Sequence, residues 1–380
     1  MTIPELPEDL VEEILCRVPA TSLKRLRSTC KRWNRLFNDD WRFARKHLDK
    51  ATKQFMVLLL IKKYNIALVS IDLNRTIPSV EVNTAYSLID PQPEYSSKFY
   101  VSRVIHCDGV LLCTSSVDNS RIVVWNPLTG EQRWIRTGDG SEGGRAFNIG
   151  YVNKSCNKSY RVLSYYYGKY NFEMYEFNSD TWRSLGDICP GWRLWAYMLV
   201  SLKGSTYTFA EDGTKISLLK IDYSTEKSVH VRLPCDQGIQ LENSILSVVR
   251  EEKLAFLSQP DRKSKTEIWV TNKIDETTKE VSWSKVLALD LSRRNQILNC
   301  GSFLLDEEKK VLVYCDILDH YDIERIKNNI ENVGEDNIVT TLEFGVDKVK
   351  LCLPAIHNYV PSLDKIKQAK AQGKRKRGDD

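Results

Sequence analysis

Apolar residues in the first fifty positions recur at the three- and four-residue spacing of helices. Pro19 separates two stripes: the first contains Leu10, Val11, Ile14, Leu15 and Val18, and the second contains Leu23, Leu26, Cys30, Trp33 and Phe37. Pro7 suits the first turn of the first helix, and Thr21 or Ser22 suits the cap of the second. The pattern predicts two amphipathic helices, followed by a short third helix near residues 41–48.

From about residue 55 the chain changes to short apolar strands separated by polar turns. Several segments share one arrangement: an apolar strand, a turn opened by Asp or Asn, and a second strand. The turn residues are Asp72, Asn126, Asn178, Asp222 and Asn272, spaced 44 to 54 residues apart. One four-stranded sheet per step predicts a β-propeller-like domain of about six blades, with a large β-sandwich as the alternative.

The two helical stripes are more apolar than a module of about 40 residues needs for its own core. Either the helices pack on the β-domain of the same chain, or another protein covers them. Periodicity alone favours neither interpretation.

Composition is that of an ordinary globular protein. Of the 380 residues, 42% are hydrophobic, enough for one large core and a smaller module. The first ten residues lack the features of a secretion signal, and the longest apolar run, 55–61, is far shorter than the ~20 residues of a membrane span. We therefore expect a protein of the nucleus or cytoplasm that does not bind membranes.

The net charge of +5 is concentrated in residues 364–380, where seven Lys and Arg stand against three Asp. The rest of the chain is nearly neutral, so no broad nucleic-acid-binding surface is expected. The tail contains the run KRKR, which is Lys374, Arg375, Lys376 and Arg377. Such a run is typical of a nuclear import signal or of a solvated, disordered chain end, and both interpretations stay open.

Few residues suggest chemistry. The loop GDGSEG at 138–143 has the glycine spacing of a dinucleotide-binding loop, but acidic residues stand where a pyrophosphate would lie and no helix pattern follows. His106, Cys107, Asp108 and Cys113 are close in sequence without the spacing of a metal site or a nucleophile elbow. The ten cysteines form no CxxC pairs, so no disulfide framework is expected. We predict no catalytic residue, no metal and no cofactor.

Two stretches, 164–177 and 189–198, are rich in aromatic residues. Most of these side chains are expected to pack within and between blades. Four of them lie nearest to predicted turns and are candidates for a substrate-binding rim, because Tyr, Trp and Arg are effective contact residues. They are Tyr167, Tyr170, Trp192 and Arg193.

The opening segment resembles the F-box. The match comprises Leu6-Pro7, Leu10, Ile14-Leu15, Val18-Pro19, Ser22-Leu23, Leu26, Cys30-Lys31 and Trp33, in the order and spacing of that motif. Thr29 stands where the family usually has Val. The downstream segments, with WNPLTGEQRWI at 125–135 and YEFNSDTWRSL at 175–185, resemble the F-box-associated domain of plant F-box proteins, which is related to kelch propellers.

The resemblance implies a non-catalytic substrate receptor of an SCF-type ubiquitin ligase. The F-box would dock on a Skp-family adaptor, which leads to cullin and RING subunits, and the β-domain would hold a protein substrate for ubiquitination and proteasomal degradation. The F-box residues that this role assigns to the adaptor contact or to the module core are Leu6, Pro7, Leu10, Ile14, Leu15, Pro19, Leu23, Leu26 and Trp33. The sequence does not divide these residues further.

Two other roles are open for such a chain. One is an F-box interaction protein whose partners are not degraded, and the other is a lectin-like binding protein. The predicted organisation is α+β and multi-domain: an all-α F-box at 1–50, an all-β propeller-like domain at 51–363, and a basic tail at 364–380.

Overall fold

The computed structural model describes residues 6–366 with internal gaps. The gaps are 51–55, 62–64, 73–78, 93–98, 116–117, 139–144, 155–156, 167–170, 235–238, 240, 261–263, 273, 275–280, 291–301, 318–327, 342 and 345–350. The architecture is an N-terminal group of helices followed by a ring of β-sheets, which confirms the predicted order of an all-α module and an all-β propeller.

Four helices form the N-terminal module: α1 (Glu8–Leu15), α2 (Ala20–Leu26), α3 (Lys31–Asp39) and α4 (Trp41–Lys50). Pro7 and Pro19 precede α1 and α2 with extended backbones, as expected for proline at a helix start.

The predicted second helix is interrupted between α2 and α3. The hydroxyls of Ser28 and Thr29 donate to the carbonyl oxygens of Arg25 and Leu26, which competes with the helical hydrogen bonds. The backbone of Cys30 is then extended, and its sulfur accepts a hydrogen bond from the Trp33 amide.

The strands that follow form five four-stranded antiparallel sheets. These are β4 (Arg103–Cys107), β5 (Val110–Thr114), β6 (Arg121–Trp125) and β7 (Gln132–Arg136); β8 (Arg145–Lys154), β9 (Asn157–Tyr166), β10 (Phe172–Glu176) and β11 (Thr181–Gly186); β12 (Arg193–Leu202), β13 (Ser205–Glu211), β14 (Ile216–Asp222) and β15 (Lys227–Val231); β16 (Ser244–Val249), β17 (Lys253–Ser258), β18 (Thr266–Thr271) and β19 (Trp283–Leu289); and β20 (Phe303–Asp306), β21 (Val311–Ile317), β22 (Asn328–Val333) and β23 (Val339–Thr341).

A sixth sheet joins the beginning of the β-domain to its end. It contains β1 (Met56–Ile61), β2 (Asn65–Asp72), β3 (Ser79–Tyr86), the two-residue β24 (Glu343–Phe344) and β25 (Leu351–Tyr359), in the order β24-β3-β2-β1-β25. Strand β25 pairs antiparallel with β1, for example Val57 with Asn358. We call this sheet the closing sheet.

The six sheets surround a common axis. Their innermost strands contact each other in ring order, from β4 through β8, β12, β16 and β20 to β25, which contacts β4 again. Hydrophobic clusters lie between neighbouring sheets, such as the one that joins Ile105 and Val110 to Ile149 and Val162. The described strands therefore form a closed propeller in which a large share of the core lies between blades.

Antiparallel order gives the propeller two distinct faces. In each of the five four-stranded sheets the turn after the innermost strand and the turn after the third strand open on one face, while the other turns and the links between sheets open on the opposite face. The helices pack against Leu128, in the turn after β6, and against Leu363, just after β25. We call the face with these turns the F-box-module face, and the other the distal face.

Close packing around the axis leaves no room for a side chain at Gly150 in β8. A Cβ there would lie closer than 3.0 Å to Tyr223 Cε2 and to the Gly204 carbonyl oxygen. We expect Gly150→Ala to lower the free energy of unfolding by about 3 kcal/mol, because backbone as well as side chain must move. Denaturant unfolding measures this change.

The matched control is Gly213→Ala in the turn after β13. Gly213 has φ +92°, and a Cβ at this position would meet no heavy atom within 4 Å, so only backbone strain is added. Its expected cost is about 1 kcal/mol. If both variants lose the same unfolding free energy, the close packing at Gly150 does not contribute to the cost of its substitution.

Candidate functional site

One side of α1, together with the residues just before it, presents apolar side chains to solvent. Leu6, Leu10 and Ile14 recur every four residues and are 56%, 51% and 54% exposed. Pro7 is exposed as well. We call Leu6, Leu10 and Ile14 the α1 stripe. A soluble helix normally turns such a stripe inward, so three large apolar side chains in a row on the outside indicate a surface for a partner.

The other side of α1 closes the core of the helical module. Leu15 and Leu23 are buried, and they join Cys16, Ala20, Phe37 and Phe43 in one hydrophobic cluster. Leu26 and Trp33 are half-buried at the edge of the cluster, and Pro19 is half-buried before α2. Among the predicted adaptor residues, the structure therefore places Leu15 and Leu23 in the core and leaves Leu6, Pro7, Leu10 and Ile14 accessible.

A groove of about 740 Å³ lies between α1 and α3, and none of the three residues of the α1 stripe lines it. Its wall from α1 is acidic and includes Glu8, Asp9 and Glu12, whereas its wall from α3 is basic and includes Lys31, Arg32 and Arg35. The apolar side chains Val11, Trp33 and Leu36 also line it. Of the residues that line the groove, only Trp33 was among the predicted adaptor-contact or core residues. Val11 and Leu36 lie at the edges of the apolar stripes on their helices, so the pattern did not single them out.

The helical module also packs on its own propeller. Leu128 and Leu363 belong to the same hydrophobic cluster as Leu23 and Phe37, and Lys24 Nζ donates to the Pro127 carbonyl oxygen at 3.4 Å. The two interpretations left open by the helical pattern thus apply to different faces: one face packs on the β-domain, and the α1 stripe is free.

The predicted rim residues that the structure describes lie on the distal face. Trp192 is in the link before β12, and Arg193 is the first residue of β12. The Trp192 ring is half-buried and packs edge-on against His230, with centroids 4.7 Å apart, and Arg193 forms an ion pair with Glu211. Tyr167 and Tyr170 lie outside the described residues, as does the Lys374–Arg377 run, so these stay predictions.

Of the residues that suggested chemistry, Cys107 and Cys113 are buried, and His106 and Asp108 are half-buried. Asp108 Oδ2 accepts a hydrogen bond from Lys158 Nζ at 2.9 Å. Burial raises the pKa of the Cys107 thiol well above its usual range and also raises the pKa of Cys113. Neither thiol has the lowered pKa and access of a nucleophile. Of the glycine-rich loop, residues 139–143 lie outside the described residues.

Within the described part of the chain, no three His, Cys, Asp or Glu side chains come together in a metal-binding arrangement. None of the helices described there has the length and apolar character needed to cross a membrane.

Comparisons with known proteins agree with this architecture. The chain matches the model of the F-box domain over residues 3–45 and the model of the F-box associated beta propeller domain over residues 56–366. F-box protein ETP2 of Arabidopsis thaliana is 54% identical over 387 aligned residues, with 98% of each chain covered. F-box protein ETP1 of the same plant is 46% identical over 418 aligned residues, with 100% of each chain covered.

His106, whose side chain is 11% exposed, makes the stability of the propeller depend on pH. Burial lowers the pKa of His106 to about 4 and outweighs the nearby Asp108 carboxylate, which favours the charged ring. The ring Nε2 already accepts a hydrogen bond from the Gly109 amide at 2.7 Å, while the Glu251 carboxylate, at 3.7 Å, lies beyond hydrogen-bond distance. The unfolded chain binds the proton first, near pH 6.5, so stability falls as the pH drops from about 6.5 towards 4.

We expect the wild-type chain to lose about 2 kcal/mol more unfolding free energy between pH 7 and pH 5 than a His106→Gln variant. The glutamine side chain cannot titrate but can still accept the Gly109 hydrogen bond. Urea unfolding of both chains at the two pH values measures the difference. Parallel pH profiles would rule out His106 as the source.

Proposed function

This chain belongs to the F-box proteins that carry an F-box associated beta propeller domain, and we propose that it is a substrate receptor of an SCF-type ubiquitin ligase. The F-box docks on a Skp-family adaptor, and the propeller holds a protein substrate. The observation that carries this proposal is the α1 stripe, which stays more than half exposed although the rest of the F-box core is closed.

The stripe and the groove on the other side of α1 both have features of protein-binding surfaces. Leu6, Leu10 and Ile14 supply apolar area, and the groove supplies a half-buried Trp33 between walls of opposite charge. Interfaces commonly combine a desolvated apolar centre with a charged rim that fixes orientation. An adaptor that buries this stripe would complete the hydrophobic surface that α1 leaves open.

The proposed mechanism requires no chemistry from this chain. A receptor that holds both an adaptor and a substrate raises the effective concentration of substrate lysines near the ubiquitin-charged subunit. The buried thiols of Cys107 and Cys113 support this non-catalytic role, and Lys158 is occupied by ion pairs with Asp108 and Asp364. The acyl-transfer chemistry would belong to other subunits of the complex.

The distal face is the proposed substrate surface. It carries Trp192 and Arg193, and it points away from the turns against which the F-box packs. A substrate bound there does not compete with the adaptor for space.

Adaptor binding can be tested with a double substitution in the stripe. We expect Leu10→Asp with Ile14→Asp to weaken binding of a purified Skp-family adaptor at least about a hundredfold, because two charges would have to be desolvated in an apolar interface. Both side chains are more than half exposed, so the thermal stability should stay nearly unchanged. Titration calorimetry measures the affinity.

The control is Ile338→Asp, which places a charge at a 64% exposed apolar position of the propeller. This variant should bind the adaptor like the wild type. Undiminished binding by the Leu10 and Ile14 double variant would refute the docking surface.

Degradation can be tested through the partners themselves. Proximity labelling under proteasome inhibition should identify proteins whose half-lives lengthen about twofold or more when this chain is depleted. Resupply of the wild-type chain should restore their turnover, whereas the Leu10 and Ile14 double variant should not. Partners whose half-lives never change would favour an interaction protein that does not lead to degradation.

A further inference from the structure

Residues 360–366 follow the last strand and lie between the F-box and the propeller. Val360, Pro361, Ser362, Leu363 and Ile366 are buried along this stretch, although it has no regular secondary structure. We call residues 360–366 the strap. Irregular backbone is normally exposed, because its polar groups need water, so a buried strap must have partners.

Asn126 supplies the main partners on the propeller. Its Nδ2 donates to the carbonyl oxygens of Ser362 and Asp364, at 2.9 and 2.8 Å. Its Oδ1 accepts from the amides of Leu128 and Thr129, at 2.9 and 3.3 Å. One fully buried side chain therefore fixes the strap and the turn after β6 to each other.

Charged groups hold the same stretch. Asp364 Oδ2 lies 2.8 Å from Lys158 Nζ, which also binds Asp108 at 2.9 Å. Although burial acts in the opposite direction, these two carboxylates raise the pKa of Lys158. The Ile366 amide donates to Glu131 Oε2 at 2.8 Å. Displacing the strap would break the Asp364–Lys158 ion pair and the hydrogen bond from Ile366 to Glu131, so these contacts resist its displacement.

A glycine lets the strap lie flat on the propeller. Gly109, in the turn after β4, has φ +81°, and a Cβ there would lie closer than 3.0 Å to Ser362 Cβ. The strap therefore touches the propeller backbone itself.

The opposite side of the strap contributes to the core of the F-box. Leu363 and Leu128 pack with Leu23 and Phe37 in one hydrophobic cluster. The space left at this contact, which Lys24, Arg27 and Thr129 also line, is only about 10 Å³. A space of that size is at the lower limit for one water molecule, so the contact is closely packed.

We propose that the strap is a positioning device that sets the orientation of the F-box on the propeller. Leu363, Asn126 and Asp364 are its positioning residues: Leu363 holds the F-box, while Asn126 and Asp364 hold the strap to the blades. The consequence for ubiquitin transfer, a fixed offset between adaptor and substrate, rests on the proposed function. The coupling of the two domains does not.

The test measures orientation without any adaptor. Spin labels are introduced as unnatural amino acids at Arg35 of α3 and at Ile338 of the propeller in the full chain, and pulsed electron resonance gives the distance distribution between them. The wild-type chain should show one narrow distance. Leu363→Ala should broaden the distribution about twofold or more, because the F-box then samples several orientations.

Two further variants sharpen the result. Asp364→Asn keeps the shape of the strap but removes its charge, and it should broaden the distribution less than Leu363→Ala does. Leu305→Ala removes the same number of atoms from a buried site in β20, within a hydrophobic cluster that the strap does not join, and should leave the distribution narrow.

A narrow distribution in both strap variants would overturn the proposal. Loss of the helical circular dichroism signal in both variants would also overturn it, because the strap would then stabilise the F-box fold and not its orientation. Adaptor binding is absent from every measurement, so failure of the receptor assignment would leave these outcomes unaffected.

Discussion

Pairing between β1 and β25 holds the ring of blades closed. A propeller blade buries its faces against two neighbours, so an open ring would expose two hydrophobic faces and a row of unpaired backbone groups. The residues paired between the two strands are about three hundred positions apart in sequence. Bringing them together costs conformational entropy, and one such closure is enough for the whole domain. Because the strap begins where β25 ends, the position of the F-box depends on the same closure.

The F-box in this chain is a two-sided module. Its inner side, with Leu23 and Phe37, is completed by Leu128 and Leu363 of the propeller, while its outer side keeps Leu6, Leu10 and Ile14 in solvent. A helical module of this size buries too little surface in its own core to be stable alone, so it needs the additional contacts with the propeller. Packing on the propeller thus covers the inner side, while the outer stripe stays in solvent.

The sequence predicted the features that depend on local physics. Pro7 and Pro19 mark helix starts, and two of the turn residues that revealed the repeat act alike: the side-chain oxygens of Asn126 and Asp222 both accept hydrogen bonds from backbone amides two and three residues ahead. Their spacing predicted the repeated four-stranded sheets of a propeller. What the sequence could not show depends on contacts between distant segments.

The side-chain nitrogen Nδ2 of Asn126 donates to the Ser362 carbonyl oxygen, and no local sequence pattern predicts this long-range hydrogen bond. Leu10 and Leu15 belong to one wide apolar stripe, and only the packing of the assembled helices decides that the first is exposed and the second buried. The interruption before Cys30 was missed because apolar spacing continues through it, while the hydroxyls of Ser28 and Thr29 compete with the helical hydrogen bonds after α2.

The place of the strap in the chain has a consequence for synthesis. A ribosome produces the F-box first and Leu363 about 320 residues later. Until Leu363 is made, the inner side of the nascent F-box, with Leu23 and Phe37, lacks part of its cover, and transiently exposed apolar surface promotes aggregation. A chain whose translation stops before β25 carries Leu6, Leu10 and Ile14 but lacks Leu363, so the inner side of its F-box is only partly covered. The complete chain and such a truncated chain therefore differ in whether this second apolar surface is accessible.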